Sequence, residues 1–134
     1  MNPYATAKQA YTESSVLTAP PERLVVMLYD GAIRFLSQSA IAMRGGNLAV
    51  SNERLRRAEA IIDELNVSLD MSHGELPSQL RAIYLFCKRH LTGARLERNA
   101  DAIDAVVRLL SELRESWQQL AEKVAAERPA AVAG

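Results

Sequence analysis

Apolar residues recur every three or four positions along this chain, in four long stretches, and nowhere show the strict alternation of a half-buried strand. Glycine and proline fall in clusters between them, at Pro20-Pro21, Gly45-Gly46, 74–77 and Pro129. The spacing predicts helices over 21–44, 50–71, 77–98 and 100–127. In the last, Ile103, Val106, Leu110, Leu113, Trp117, Leu120 and Val124 follow at alternating steps of three and four, a seven-residue seam. The second stretch repeats the pattern with Leu55, Ala58, Ile62, Leu65 and Leu69. The third carries Leu80, Ile83, Tyr84, Cys87, Leu91 and Ala94 on one stripe. Each stripe needs a partner to cover it. Helices of about 33–42 Å with short connections favour antiparallel neighbours. The expected fold is all-α, an antiparallel up-and-down four-helix bundle over 18–128, led by an N-terminal arm over 1–17 and followed by a disordered tail over 129–134.

The first helix departs from a one-stripe pattern. Leu24 to Tyr29 is apolar on all sides, and Ile33, Phe35, Leu36, Ile41 and Met43 continue on several faces. Fourteen of its 24 residues are apolar, where a single core stripe needs about 10. Either this helix sits deep between neighbours, or another segment or a partner chain covers its second face. The leading segment, with Tyr4, Tyr11, Val16 and Leu17 among small and polar residues, suits an arm that docks through a few anchors; a frayed terminus fits it equally well.

At 134 residues the chain can build one hydrophobic core but not two. Its 16 basic and 16 acidic side chains cancel, which removes any general electrostatic pull toward nucleic acid or anionic lipid. The longest uninterrupted apolar run is six residues, far below the roughly 20 of a bilayer span, so no membrane insertion is expected. The N-terminus does not read as a secretory signal, and a lone Cys87 cannot form an internal disulfide; both fit a reducing, cytoplasmic setting.

The inventory for catalysis is thin: His73, His90, Cys87 and the carboxylates, with no phosphate-binding glycine loop, nucleophile elbow or Cys-x-x-Cys pair. Bundles that hold two metals use Glu-x-x-His pairs, and Asp70-Met-Ser-His73 and Cys87-Lys-Arg-His90 resemble these superficially. The first lies at a helix end and the second offers a soft thiol in place of a hard carboxylate, so no metal or cofactor is expected. Arg54-Leu55-Arg56-Arg57 sits among Glu53, Glu59, Asp63 and Glu64, the pattern of a solvated, charge-paired face rather than a nucleic-acid site. Trp117 continues the seam, and its indole N–H needs an acceptor if buried.

Thr18-Ala19-Pro20-Pro21-Glu22-Arg23-Leu24, followed by Met27-Leu28-Tyr29-Asp30-Gly31-Ala32-Ile33-Arg34-Phe35-Leu36, closely resembles the opening helix of the FliS family of flagellar secretion chaperones. The resemblance continues through Ala58, Ile61 to Leu65, Ser68-Leu69-Asp70, Gly74 and Leu113 to Trp117, nearly the whole chain. One departure is Pro20, where the family usually has a serine able to cap the helix. The resemblance implies a cytoplasmic, non-enzymatic bundle that holds the disordered C-terminal segment of flagellin, prevents premature polymerisation and delivers it to the flagellar export machinery. A metal-binding bundle and a general helical adaptor are the alternatives.

A client with amphipathic helical pieces can lay its apolar side into grooves between long helices. The surplus apolar face of the first helix supplies Val26, Met27, Tyr29 and Ile33 as candidates, with internal packing as the alternative for each. Arg54 and Arg57 are candidates for the rim, and Tyr4, Tyr11 and Leu17 for the arm, which either covers the groove or touches the client.

Overall fold

The computed structural model describes residues 21–72 and 74–127. They form four helices, α1 (Pro21–Arg44), α2 (Leu48–Val67), α3 (Leu76–Glu97) and α4 (Ala100–Glu127), with no strand among the described residues. The expected arm and tail, Pro20 and His73 lie outside the described residues.

The helix ends differ from expectation by a few residues, for local reasons. Asn47 caps α2 by accepting from the Val50 N–H at 3.2 Å, so the helix begins at Leu48. It stops at Val67 because the Ser68 hydroxyl donates back to the Leu65 carbonyl at 2.9 Å, after which Asp70 Oδ1 accepts from the Ser72 N–H and hydroxyl in a turn. Arg98 ends α3 in the left-handed conformation, φ 53°, with its N–H on the Ala94 carbonyl. Asn99 then accepts from the Ala102 N–H to open α4.

Each helix packs against the one before and after it, and α4 returns to α1, closing an antiparallel ring with α3 diagonal to α1. The ring is uneven. Along α2 and α4, α1 is in close backbone contact, whereas α3 stands further off from both its neighbours. Small residues explain the tight α1–α2 seam. A Cβ on Gly31 would lie 3.2 Å from Ile61 Cδ1, and the buried Ser39 hydroxyl donates to the Ser51 carbonyl at 2.8 Å. On the other side, Arg44 at the C-terminus of α1 bonds Asp101 and Asp104 in the first turns of α4, both at 2.6 Å, and Arg114 holds Asp30 at 2.8 Å. The Arg44 pairs suit the helix dipoles, and all three pairs are exposed enough for solvent to screen them strongly.

Between its two close neighbours α1 is buried on all but a narrow stripe through Arg23, Asp30, Arg34, Gln38, Ile41 and Arg44. By length and average hydropathy, 22–44 would pass as a membrane span, a test that the count of uninterrupted apolar residues did not apply. More than half of that stretch is buried inside the bundle, as in the core helix of a packed domain.

The seam of α4 divides in two. Ile103, Val106 and Leu110 are fully buried, whereas Leu113, Trp117, Leu120 and Val124 are only half-buried. Periodicity predicts the whole row as core; the first turns of α3 are too sparse in apolar side chains to close over its second half. Leu110→Ala is therefore expected to cost about 2–5 kcal/mol in urea unfolding, and Leu113→Ala about half that or less. Exposed Glu115→Ala should shift stability by under about 0.5 kcal/mol. Equal losses at 110 and 113 would mean that the seam is closed in solution.

Candidate functional site

Where the α4 seam opens, Leu76 and Leu80 of α3 face Leu113, Ser116, Trp117 and Leu120 of α4 across an apolar cleft of about 260 Å³. Pro77 sits in the first turn of α3, where its missing N–H costs nothing, and is itself buried. Leu76 beside it is 58% exposed at the lip. The cleft has no charged lining residue, so it selects for apolar surface.

Its back wall rests on the buried tyrosines of the core. Trp117 packs against Tyr29 and partly offsets the rise in that phenol's pKa. The Tyr29 and Tyr84 hydroxyls, both deeply buried, lie 2.5 Å apart. The Tyr29 ring is 6.5 Å from those of Tyr84 and Trp117, tilted to each. One residue from each of α4, α1 and α3 is thus fixed at one point, and the cleft opens just outside it. Burial raises the pKa of both tyrosines above the ordinary range and pushes that of the Cys87 thiol up to about 11.

Tyr29 and Val26, candidates for a groove on α1, are fully buried, so internal packing describes both in this structure. For Tyr29 the reason is its hydroxyl, which finds partners only inward. Met27 and Ile33 are half-buried against the core and do not line the cleft. Arg54 and Arg57, on the α1–α2 face, both bond Glu53. Partial burial works against that carboxylate's charge, but the two guanidiniums hold it below its ordinary range. Arg57 and Arg34 also lie 5.6 and 5.3 Å from the centre of the Phe35 ring. The structure does not bring these arginines to the cleft. Tyr4, Tyr11 and Leu17 lie outside the described residues.

Leu76, Leu80, Leu113 and Leu120 were not among the sequence candidates, and Trp117 was read as core. The available signal is an imbalance: two leucines of α3, Leu76 and Leu80, face three large apolar residues of α4, Leu113, Trp117 and Leu120. As for chemistry, Cys87 is fully buried and His90 stacks on Phe86 with ring centres 5.4 Å apart. Among the described residues no three His, Cys, Asp or Glu side chains gather where a metal could sit.

An apolar cleft between two helices of a bundle is a geometry able to receive an amphipathic segment of another chain. The family model for flagellar protein FliS matches residues 4–124. The flagellar secretion chaperone FliS of Salmonella typhimurium is 36% identical over 117 residues, 86% of this chain and 87% of that protein. Those of Bacillus subtilis and Escherichia coli are each 33% identical, over 88% and 86% of this chain and 85% and 89% of theirs. The chain belongs to the FliS family of flagellar secretion chaperones, a non-enzymatic class.

The buried thiol and phenols give a pH dependence of stability. Burial favours their neutral forms, so the folded state holds these protons more tightly than the unfolded one. That contribution is complete below the unfolded values and is lost as pH rises past them, from about 8.5 for Cys87 and about 10 for the tyrosines. Urea midpoints are expected to hold steady to about pH 8 and fall above it, with Cys87→Ala delaying the onset toward pH 10. A midpoint flat to pH 11 would contradict the burial of these groups.

Proposed function

We propose that this chain is a cytoplasmic export chaperone that holds the disordered C-terminal segment of flagellin, keeps it from polymerising early and hands it to the flagellar export apparatus. The observation that carries the reading is the Leu76–Leu120 cleft, an apolar surface left open in a chain whose relatives are named secretion chaperones. A disordered client segment cannot bury enough apolar area alone, and it orders only where a partner supplies the missing face. An amphipathic helix laid between α3 and α4 would meet leucine side chains on both walls and Trp117 at the back.

The wider spacing around α3 supports this task. A groove between tightly packed helices would have to break contacts to admit a client, whereas α3 is held at a distance by Tyr84 reaching across to Tyr29. The client's apolar side completes a seam already partly desolvated, and the ordering of the segment is offset by that burial. Release needs no chemical step, since the interaction is apolar contact alone.

Trp117 is the single tryptophan of the chain and reports directly on the cleft. Adding the C-terminal segment of flagellin is expected to change its fluorescence saturably, and flagellin truncated to remove that segment should not. Leu76→Glu, at the exposed lip, should weaken binding by about tenfold or more while changing stability by under about 0.5 kcal/mol. Unchanged affinity in Leu76→Glu would place the client elsewhere on the bundle.

A further inference from the structure

The outer face of α3 is the least covered apolar surface of the described residues. Leu85, Phe86 and Leu96 are 37%, 47% and 79% exposed and fall on one side of the helix over three turns. Together with Leu76 they make half of the eight large apolar side chains exposed among the described residues. Single exposed leucines need no explanation, but a row of this length on one face does.

Charge on the same helix is lopsided. The chain is neutral overall, yet α3 carries four basic side chains, Arg81, Lys88, Arg89 and Arg95, and a single carboxylate, Glu97. Lys88 and Arg95 reach back to Asp63 and Glu59 of α2 and belong to the bundle. Arg81 and Arg89 point out with Leu85 and Phe86, and neither has an ion-pair partner among the described residues. Beside them lies a second cleft between α3 and α4, about 320 Å³, floored by the small residues Gly93, Ala94 and Ala102, lipped by Phe86, Arg89 and His90, and closed at its far end by Glu97 and Asn99. A Cβ on Gly93 would meet nothing within 4 Å, so the floor lies open to another backbone.

From this juxtaposition we infer that the outer face of α3 docks an acidic amphipathic helix of a second protein, bound alongside the client. Apolar side chains of that helix cover Leu85 and Phe86 and enter the small-residue cleft, and its carboxylates meet Arg81 and Arg89. The small-residue cleft at Gly93 lies 13 residues, about 20 Å, along α3 from Leu80, and Arg81, although next to Leu80 in sequence, is exposed and does not line the Leu76–Leu120 cleft, so a helix on the outer face leaves that cleft free. The inference holds whether or not flagellin takes that cleft.

The test uses a synthetic amphipathic helix with a leucine stripe flanked by glutamates, and the same peptide with lysines in place of glutamates, titrated into the full chain by NMR. The glutamate peptide is expected to shift amides of 81–97 and to bind about tenfold or more tightly than the lysine peptide, with the difference shrinking in high salt. Phe86→Ala should weaken it by about tenfold, and Arg89→Glu should reduce or reverse the preference for glutamate, with circular dichroism melts unchanged. Flagellin binding should survive both substitutions. Equal binding of the two peptides, no binding, or indifference to Phe86→Ala would overturn the inference. Self-association of the free chain that disappears in Phe86→Ala would overturn it in favour of a second copy of this chain on the face.

Discussion

More apolar surface lies on α1 than one interface can bury, and the positions of the other three helices follow from how that surface is covered. Small residues, Gly31 and Ala32 on α1 and Ser51 and Ala58 on α2, let the two helices approach closely. On the opposite side the buried Ile103, Val106 and Leu110 pack α4 along α1, with ion pairs at Asp30 and Arg44 on the rim. With both flanks taken, α3 reaches α1 only across the diagonal, through the Tyr29–Tyr84 hydrogen bond. Tyrosine suits that span, because its ring fills the core while its hydroxyl finds a polar partner. The consequence is a bundle tight on three helices and open around the fourth.

That asymmetry links stability to function. The fully buried seam residues Ile103, Val106 and Leu110 act with α1 and α2 to hold the fold, and the next turns of the same helix face the cleft. One continuous heptad pattern thus serves two purposes, divided where α3 runs out of covering side chains. Trp117 stands at the division, its ring against Tyr29 on one side and facing the cleft on the other. The buried tyrosine pair keeps the cleft wall in place without requiring the cleft to be filled.

Much of the architecture was legible in the sequence, because three-four spacing and glycine-proline breaks report helices and their inward faces directly. All four helices fall within four residues of their expected bounds at each end, and the largest error, at the end of α2, comes from the Ser68 and Asp70 side chains competing with the helix for backbone groups. The candidate site was much less legible. Periodicity shows which face of α4 is apolar but not whether anything covers it, so Leu113 and Trp117 read as core. Conversely Tyr29, on a helix apolar all round, reads as a surface candidate, although its hydroxyl bonds inward to that of Tyr84. Both misplacements have one origin: the coverage of a face depends on the neighbouring helix, which no local pattern records.

Hydrogen exchange resolved by segment, with and without the C-terminal segment of flagellin, measures this coverage directly. The account predicts slow exchange throughout α1 in both states. It also predicts faster exchange in the first turns of α3 and in 113–124 of α4 for the free chain, with selective slowing of those two segments on binding. Uniform protection of all four helices in the free chain, or slowing confined to α1 and α2 on binding, would contradict it.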